Sequence, residues 1–240
     1  MIYITGDFHS NIDGYRIKKE HFNYDGLTKM DYLLNCGDFG YVWSGNEKDN
    51  PELDALNELP VTILFVDGNH ENFDALEQYP IEYWNGGRVQ FIREHVIHLL
   101  RGEVYTIEGK KFFTFGGGTS IDKARRIEGI SWWPQEIPSD KEFMHGLDVL
   151  NQNDWKVDYV ITHTAPASII SKIAPYIGKD VLNDYLQVIQ EQLSYEHWYF
   201  GHYHKDIDLD EKHSLLYYAF VPAGKNVQER DKSRRIIKDK

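Results

Sequence analysis

The chain holds a single cysteine, Cys36, in 240 residues. One thiol closes no internal disulfide and builds no thiolate metal cluster, so a disulfide framework is excluded and a reducing compartment is expected. Nowhere does the sequence approach the ~18 consecutive apolar residues that a membrane-spanning helix needs. Its first residues, Met1 to Asp7, lack the basic and apolar stretches of a secretory leader, which makes a cytoplasmic location with no membrane partner the expectation. Positive charge is also short. Lys and Arg total 26 against 38 Asp and Glu, a net charge of −12, which argues against a surface built to grip long polyanions. The exception is the end of the chain, where 225–240 carries seven basic and three acidic residues. It is read as a solvated basic tail behind a single domain spanning 1–224.

What is present is an ordinary globular mix, 41% hydrophobic and 27% charged, which excludes a disordered or collagen-like chain. Short apolar runs at Ile2–Thr5, Tyr32–Cys36, Val61–Val66, Tyr159–Thr162 and Trp198–Phe200 have the length and the β-branched or aromatic bias of buried strands. Helix-compatible segments, Asn11–Glu20 and Pro51–Leu59, alternate with the first three, predicting an α/β fold. From Val89 to Phe115 four strand-like runs follow one another, with Glu108-Gly109 as a hairpin turn, and a second, more antiparallel sheet is expected there. Helices are predicted over Ser139–Leu150, opened by a capping-box spacing of Ser139 and Glu142, and over Lys179–Leu193. The final strands are placed at Asp206–Leu209 and Leu215–Val221.

Each of the five buried runs leads into a cluster of hard donors: Gly6-Asp7-Phe8-His9, Gly37-Asp38, Gly68-Asn69-His70-Glu71, His163, and Gly201-His202-Tyr203-His204. In extended chain, residues i and i+2 point to one side, so Asp7 with His9 and His202 with His204 can each aim two donors at one point. Ligands of open α/β sheets gather beyond the carboxyl ends of strands, where all five clusters fall. Two carboxylates, one amide oxygen and four imidazoles are too many for one ion and suit a pair, one carboxylate bridging. Imidazole with oxygen and no thiolate suits Mn²⁺, Fe, Zn²⁺ or Ni²⁺.

In their order, Asp-x-His, Gly-Asp, Gly-Asn-His-Glu, a later His and Gly-His-x-His, these motifs resemble those of the calcineurin-like metallophosphoesterases, and they span Asp7 to His204. The resemblance implies a four-layer αββα sandwich, two mixed β-sheets flanked by helices, with a dinuclear metal site at the sheet edge. It implies that Asp7, His9 and His204 hold one ion, that Asn69, His163 and His202 hold the other, and that Asp38 bridges them. It further implies in-line attack on phosphorus by a metal-bridging hydroxide, with His70 protonating the departing oxygen as general acid. The alternative for His70 is a residue that only orients Asn69. After Gly37-Asp38 the sequence reads Phe39-Gly40-Tyr41, without the downstream Asp and Arg of the protein Ser/Thr phosphatase branch. A protein phosphatase is therefore not expected, and whether Glu71 or Asp74 orients His70 is left open.

The segment 116–138 opens with three glycines and carries Lys123, Arg125, Arg126, Trp132 and Trp133. Cationic donors and stacking faces make it a lid-like insertion that binds substrate, the alternative being tryptophans packed on the scaffold and solvated arginines. A similar glycine turn occurs in lariat-debranching members of the family, which keeps nucleic acid as a second, disfavoured substrate class. Three functions follow: a metal-dependent phosphoesterase for a phosphomonoester or small phosphodiester, a nuclease or debranching-type phosphodiesterase, and an inactive metal-bearing scaffold for a protein partner.

Overall fold

The computed structural model describes residues 1–235. The chain runs β1 (Ile2–Thr5), α1 (Asn11–Gly14), β2 (Tyr32–Asn35), α2 (Asn50–Asn57), β3 (Thr62–Phe65) and α3 (Phe73–Leu76). Five strands follow without a helix between them: β4 (Glu82–Trp84), β5 (Gly87–Arg93), β6 (Val96–Leu99), β7 (Glu103–Ile107) and β8 (Lys110–Phe115). Then come α4 (Asp140–Gln152), β9 (Tyr159–Thr162), α5 (Ala167–Ile173), α6 (Val181–Gln192), β10 (His197–Phe200), β11 (Ile207–Asp208), β12 (His213–Leu215) and β13 (Val221–Pro222). Among the described residues no helix is long and apolar enough to cross a membrane.

Two mixed sheets result, one of seven strands in the order β13-β1-β2-β3-β6-β5-β4 and one of six in the order β11-β12-β10-β9-β8-β7. Strict alternation along the strands sorts side chains into three apolar layers. Ile2, Ile4, Leu34, Leu64 and Ile97 face Tyr105, Phe112, Ile161 and Tyr199 between the sheets. On the outer face of the first sheet, Tyr3, Leu33, Ile63 and Phe65 pack on Ile17 and on Leu53 and Leu56 of α2. Phe113, Val160, Trp198 and Phe200 back the second sheet against Leu150, Ile170, Leu186 and Ile189 of α4, α5 and α6. This is the four-layer αββα sandwich, an α/β fold.

Several expected elements are redistributed. The middle strands do not form a second antiparallel sheet: β5 and β6 extend the first sheet, while β7 and β8 open the second, which is parallel from β8 through β12. The Glu108-Gly109 hairpin is present, both residues at positive φ (49° and 76°) as a type I′ turn requires. The helix expected over Asn11–Glu20 stops at Gly14 and continues as a 3-10 turn, because Arg16 is drawn inward and donates to the carbonyls of Gly6, Asp7, Asp13 and Tyr217. The run Leu215–Val221 is not one strand. The Asp206 carboxylate takes the N–H groups of Tyr217, Tyr218 and Ala219, and the chain there passes from β12 in one sheet to β13 in the other. Helix α4 has the expected capping box of Ser139 and Glu142, and α6 has one from Asp180 and Asn183.

Of the expected basic tail, residues 225–235 are docked on the domain. Val227 is buried in the inter-sheet layer, and Arg234 bonds the Tyr3 hydroxyl and the carbonyls of Asn23 and Asp25. Residues 236–240 lie outside the described residues.

Candidate metal centre

The parallel strands β1, β2 and β3 end level, with Thr5, Asn35 and Phe65 in register. Strands β9 and β10 end at the same edge from the second sheet, so the five donor clusters meet where the sheets' carboxyl ends converge. The convergence is not made by extended chain. His9, Ser10, Asp38, His202 and His204 all adopt left-handed backbone, φ between 44° and 71°, so the expected i, i+2 alternation is replaced by tight turns just beyond β1, β2 and β10. Non-glycine residues in that region are strained, and their clustering here marks a site over-determined by its surroundings. Gly68 shows the crowding: a Cβ on it would lie 2.1 Å from Asp38 Oδ1.

Two groups of donors form, and they share one residue. His9, Asp38 and His204 offer atoms within 4.8 Å of one another, as do Asp38, His163 and His202. His9 Nε2 is 3.1 Å from Asp38 Oδ2, and His163 Nε2 is 3.3 Å from Asp38 Oδ1. Asn69 Oδ1 and His202 Nδ1 lie 3.1 and 3.2 Å from the same His163 nitrogen. Asp7, wholly buried, sits 3.3 Å from His204 Nε2 and accepts the His202 N–H at 3.1 Å.

Neighbouring groups fix the orientation of these donors, in roles the sequence did not assign to them. His9 Nδ1 donates to Asp13 at 2.8 Å and His163 Nδ1 to the Cys36 carbonyl at 2.8 Å, which turns both Nε2 atoms inward. The Ser120 hydroxyl accepts from Asn69 Nδ2, leaving the amide oxygen facing His163. Glu71 accepts the N–H groups of Phe39 and Gly40 at 2.7 and 3.0 Å and so holds the Asp38 turn; burial, with the Asp38 charge, pushes its carboxyl up to about 8. Glu71 stood in the Gly-Asn-His-Glu motif with another role in view, and the Asp13 carboxylate, four residues after His9 at a helical turn, left a local signal that was missed.

Charge balance tests whether cations suit this cage. Burial alone would favour a protonated Asp38, yet His163 and His9 hold it well below the usual carboxylate range. In return, and against their own burial, His9 and His163 are raised to about 9 by Asp38 and Asp7. Burial first, then the His163 charge, lowers the His202 imidazole to about 3, and burial raises the Asp7 carboxyl. The cage thus mixes neutral and charged donors around the buried Asp38 carboxylate, and the donor types are those that divalent transition metals prefer. The residues fit a metal pair.

A Calcineurin-like phosphoesterase family model matches residues 1–206, which include every donor above. The chain belongs to this family. It is 21% identical over 235 aligned residues to the lariat debranching enzyme of Arabidopsis thaliana, a match covering 85% of this chain and 54% of that enzyme. The chain therefore spans about half the length of that curated relative.

The remaining predicted residues are placed unequally. His70 borders the site, its backbone N–H donating to Asp38 Oδ1 at 2.7 Å. Burial first, then the charges of Arg126, His9 and His163, lower its imidazole to about 4 despite Asp38, so it is neutral at pH 7. Neither Glu71 nor Asp74 bonds its side chain: Glu71 holds backbone, and Asp74 accepts from the Trp133 indole at 2.9 Å. Arg126 reaches His70, whereas Arg125 is exposed and does not line the site cavity. Trp132 and Trp133 offer no open stacking face, being 9% and 2% exposed. Lys123 covers the Trp132 ring at 3.9 Å and Trp43 meets Trp133 edge-on, so the pair anchors segment 116–138 to the scaffold.

Proposed function

We propose that this chain hydrolyses a phosphomonoester or small phosphodiester with a dinuclear centre. The observation that carries the reading is that Asp38 belongs to both donor groups, as a bridging carboxylate must. Asp7, His9 and His204 would hold one ion, and Asn69, His163 and His202 the other. Mn²⁺ is the metal proposed first, with Fe, Zn²⁺ and Ni²⁺ compatible with the same donors. When bound, the pair neutralises phosphate oxygens and supplies a water acidic enough to deprotonate near pH 7.

The chain's own residues do the rest. Asp13 and the Cys36 carbonyl fix the tautomers of His9 and His163, Ser120 aims the Asn69 oxygen, and the Glu71 clamp fixes the Asp38 turn. His70 is proposed as proton donor to the leaving oxygen, a contribution typically of 10²–10⁴-fold. An anionic phosphate beside it offsets the Arg126 charge that opposes its protonation.

The test is a matrix of metals against p-nitrophenyl phosphate and bis-p-nitrophenyl phosphate. Metal-dependent turnover of either supports the reading. A fully metal-loaded protein inert on both, and on a broad ester panel, points instead to a metal-bearing scaffold. A debranching-type phosphodiesterase is the second reading, supported by the debranching relative; diester turnover with salt-dependent binding of single-stranded nucleic acid would favour it.

A further inference from the structure

Beside the candidate metal donors is an arrangement that no pairing among the described residues satisfies. The Arg126 guanidinium lies against the His70 ring, Nη2 3.0 Å from Nε2 and Nη1 3.3 Å from Nδ1. Among the described residues, neither ring nitrogen has another hydrogen-bond partner. A neutral imidazole has one N–H and one lone pair, and a guanidinium has only donors. One of the two contacts therefore sets N–H against N–H. Arg126 is held in this position from behind: Nε bonds Asp122 at 2.7 Å and Nη1 donates to the Ser131 carbonyl at 3.2 Å, leaving its side chain 14% exposed.

An anionic oxygen resolves the conflict, because it accepts from both groups at once. The cavity they border measures about 290 Å³, with Ile121, Asp122 and Arg126 from segment 116–138 on one side and Asp38, His202 and His204 on the other. We propose that Arg126 is the phosphate-recognising side chain of this site and that it selects dianionic phosphomonoesters over diesters. This rests on the phosphoesterase reading above. A monoester presents three terminal oxygens and a second negative charge, whereas a diester presents two and one, with an alkoxy group in place of the third. A nearly buried guanidinium held by Asp122 gains most from the extra oxygen and charge. The segment 116–138 is thus a phosphate clamp, its tryptophans anchoring the loop that carries Arg126.

The experiment compares the wild-type, Arg126→Ala and Arg126→Lys proteins, all loaded with Mn²⁺ and matched in metal content. Binding of inorganic phosphate is measured by calorimetry, and kcat/KM is measured on p-nitrophenyl phosphate and bis-p-nitrophenyl phosphate. Arg126→Ala should weaken phosphate binding by at least about tenfold and lower the monoester-to-diester ratio by a similar factor. Arg126→Lys, which keeps the charge but not the fork, should fall between. Phosphate affinity within twofold of wild type, or an unchanged ratio, overturns the proposal. If wild-type protein binds phosphate but hydrolyses neither ester, the enzymatic reading fails while the calorimetry still decides whether Arg126 holds phosphate.

Discussion

Asp13 joins two candidate ligands that approach the centre from opposite ends of the chain. One carboxylate oxygen receives His9 Nδ1 at 2.8 Å, and the other accepts the Tyr217 hydroxyl at 2.9 Å. Tyr217 in turn stacks on His204, with ring centroids 4.7 Å apart and planes within 12°. Partners of this kind typically contribute 10–100-fold to metal affinity. Asp13→Ala should weaken metal binding by about that factor without unfolding the protein, as read by competition with a fluorescent chelator. Affinity within twofold of wild type would show that His9 holds its orientation unaided.

Asp38→Asn should cost both metal equivalents together, because the two donor groups share only this residue. Native mass spectrometry of the variant is expected to show metal-free protein. Two retained equivalents would mean that Asp38 bridges nothing.

His70→Ala should keep its metals, since the contact from His70 to Asp38 is made by backbone N–H. Turnover should fall about 10²–10⁴-fold on alkyl phosphates, whose leaving oxygen needs a proton, and far less on nitrophenyl esters. Equal loss on both classes would assign the ring to orienting Asn69 or the substrate instead.

A pH effect on stability is expected away from the centre. His197 donates to Ser214 Oγ at 2.8 Å, and Ser214 donates onward to Asp208 at 2.7 Å. Burial, with the His213 charge, lowers the His197 imidazole to about 4. Between pH 6.5 and 4 the unfolded chain therefore carries a proton here that the folded one does not, and stability falls as pH falls through that window. The slope from one group is at most about 1.4 kcal/mol per pH unit. Urea unfolding across pH 4–7 should show a shallower dependence for His197→Gln. Parallel curves for the two proteins would exclude this group as the origin.

Much of the edge that carries the candidate site was legible because its signals are local. Thr5, Cys36, Val66, Thr162 and Phe200 each close an apolar run, and polar donors follow within a few residues, a pattern that periodicity and residue type expose directly. The same reasoning failed where two local readings were equally good. Alternation along Val89–Phe115 specifies strands but not which neighbour each strand finds, so β5 and β6 went to one sheet and β7 and β8 to the other. Trp132 and Trp133 have the same composition whether open to a substrate or packed on Trp43 and Lys123.

By itself, then, the sequence determined the alternation of strands and helices, the order of the seven candidate donors along the chain, and the presence of a single cysteine. Tertiary structure decided the left-handed turns that aim those donors, the sharing of Asp38 between two groups, and the contacts of Asp13 with Tyr217 and of Arg126 with His70. The physical reason is range. Backbone period and residue type act over a few residues, whereas each of those contacts joins segments far apart in the chain, held together by the apolar layers, one of which packs the two sheets face to face.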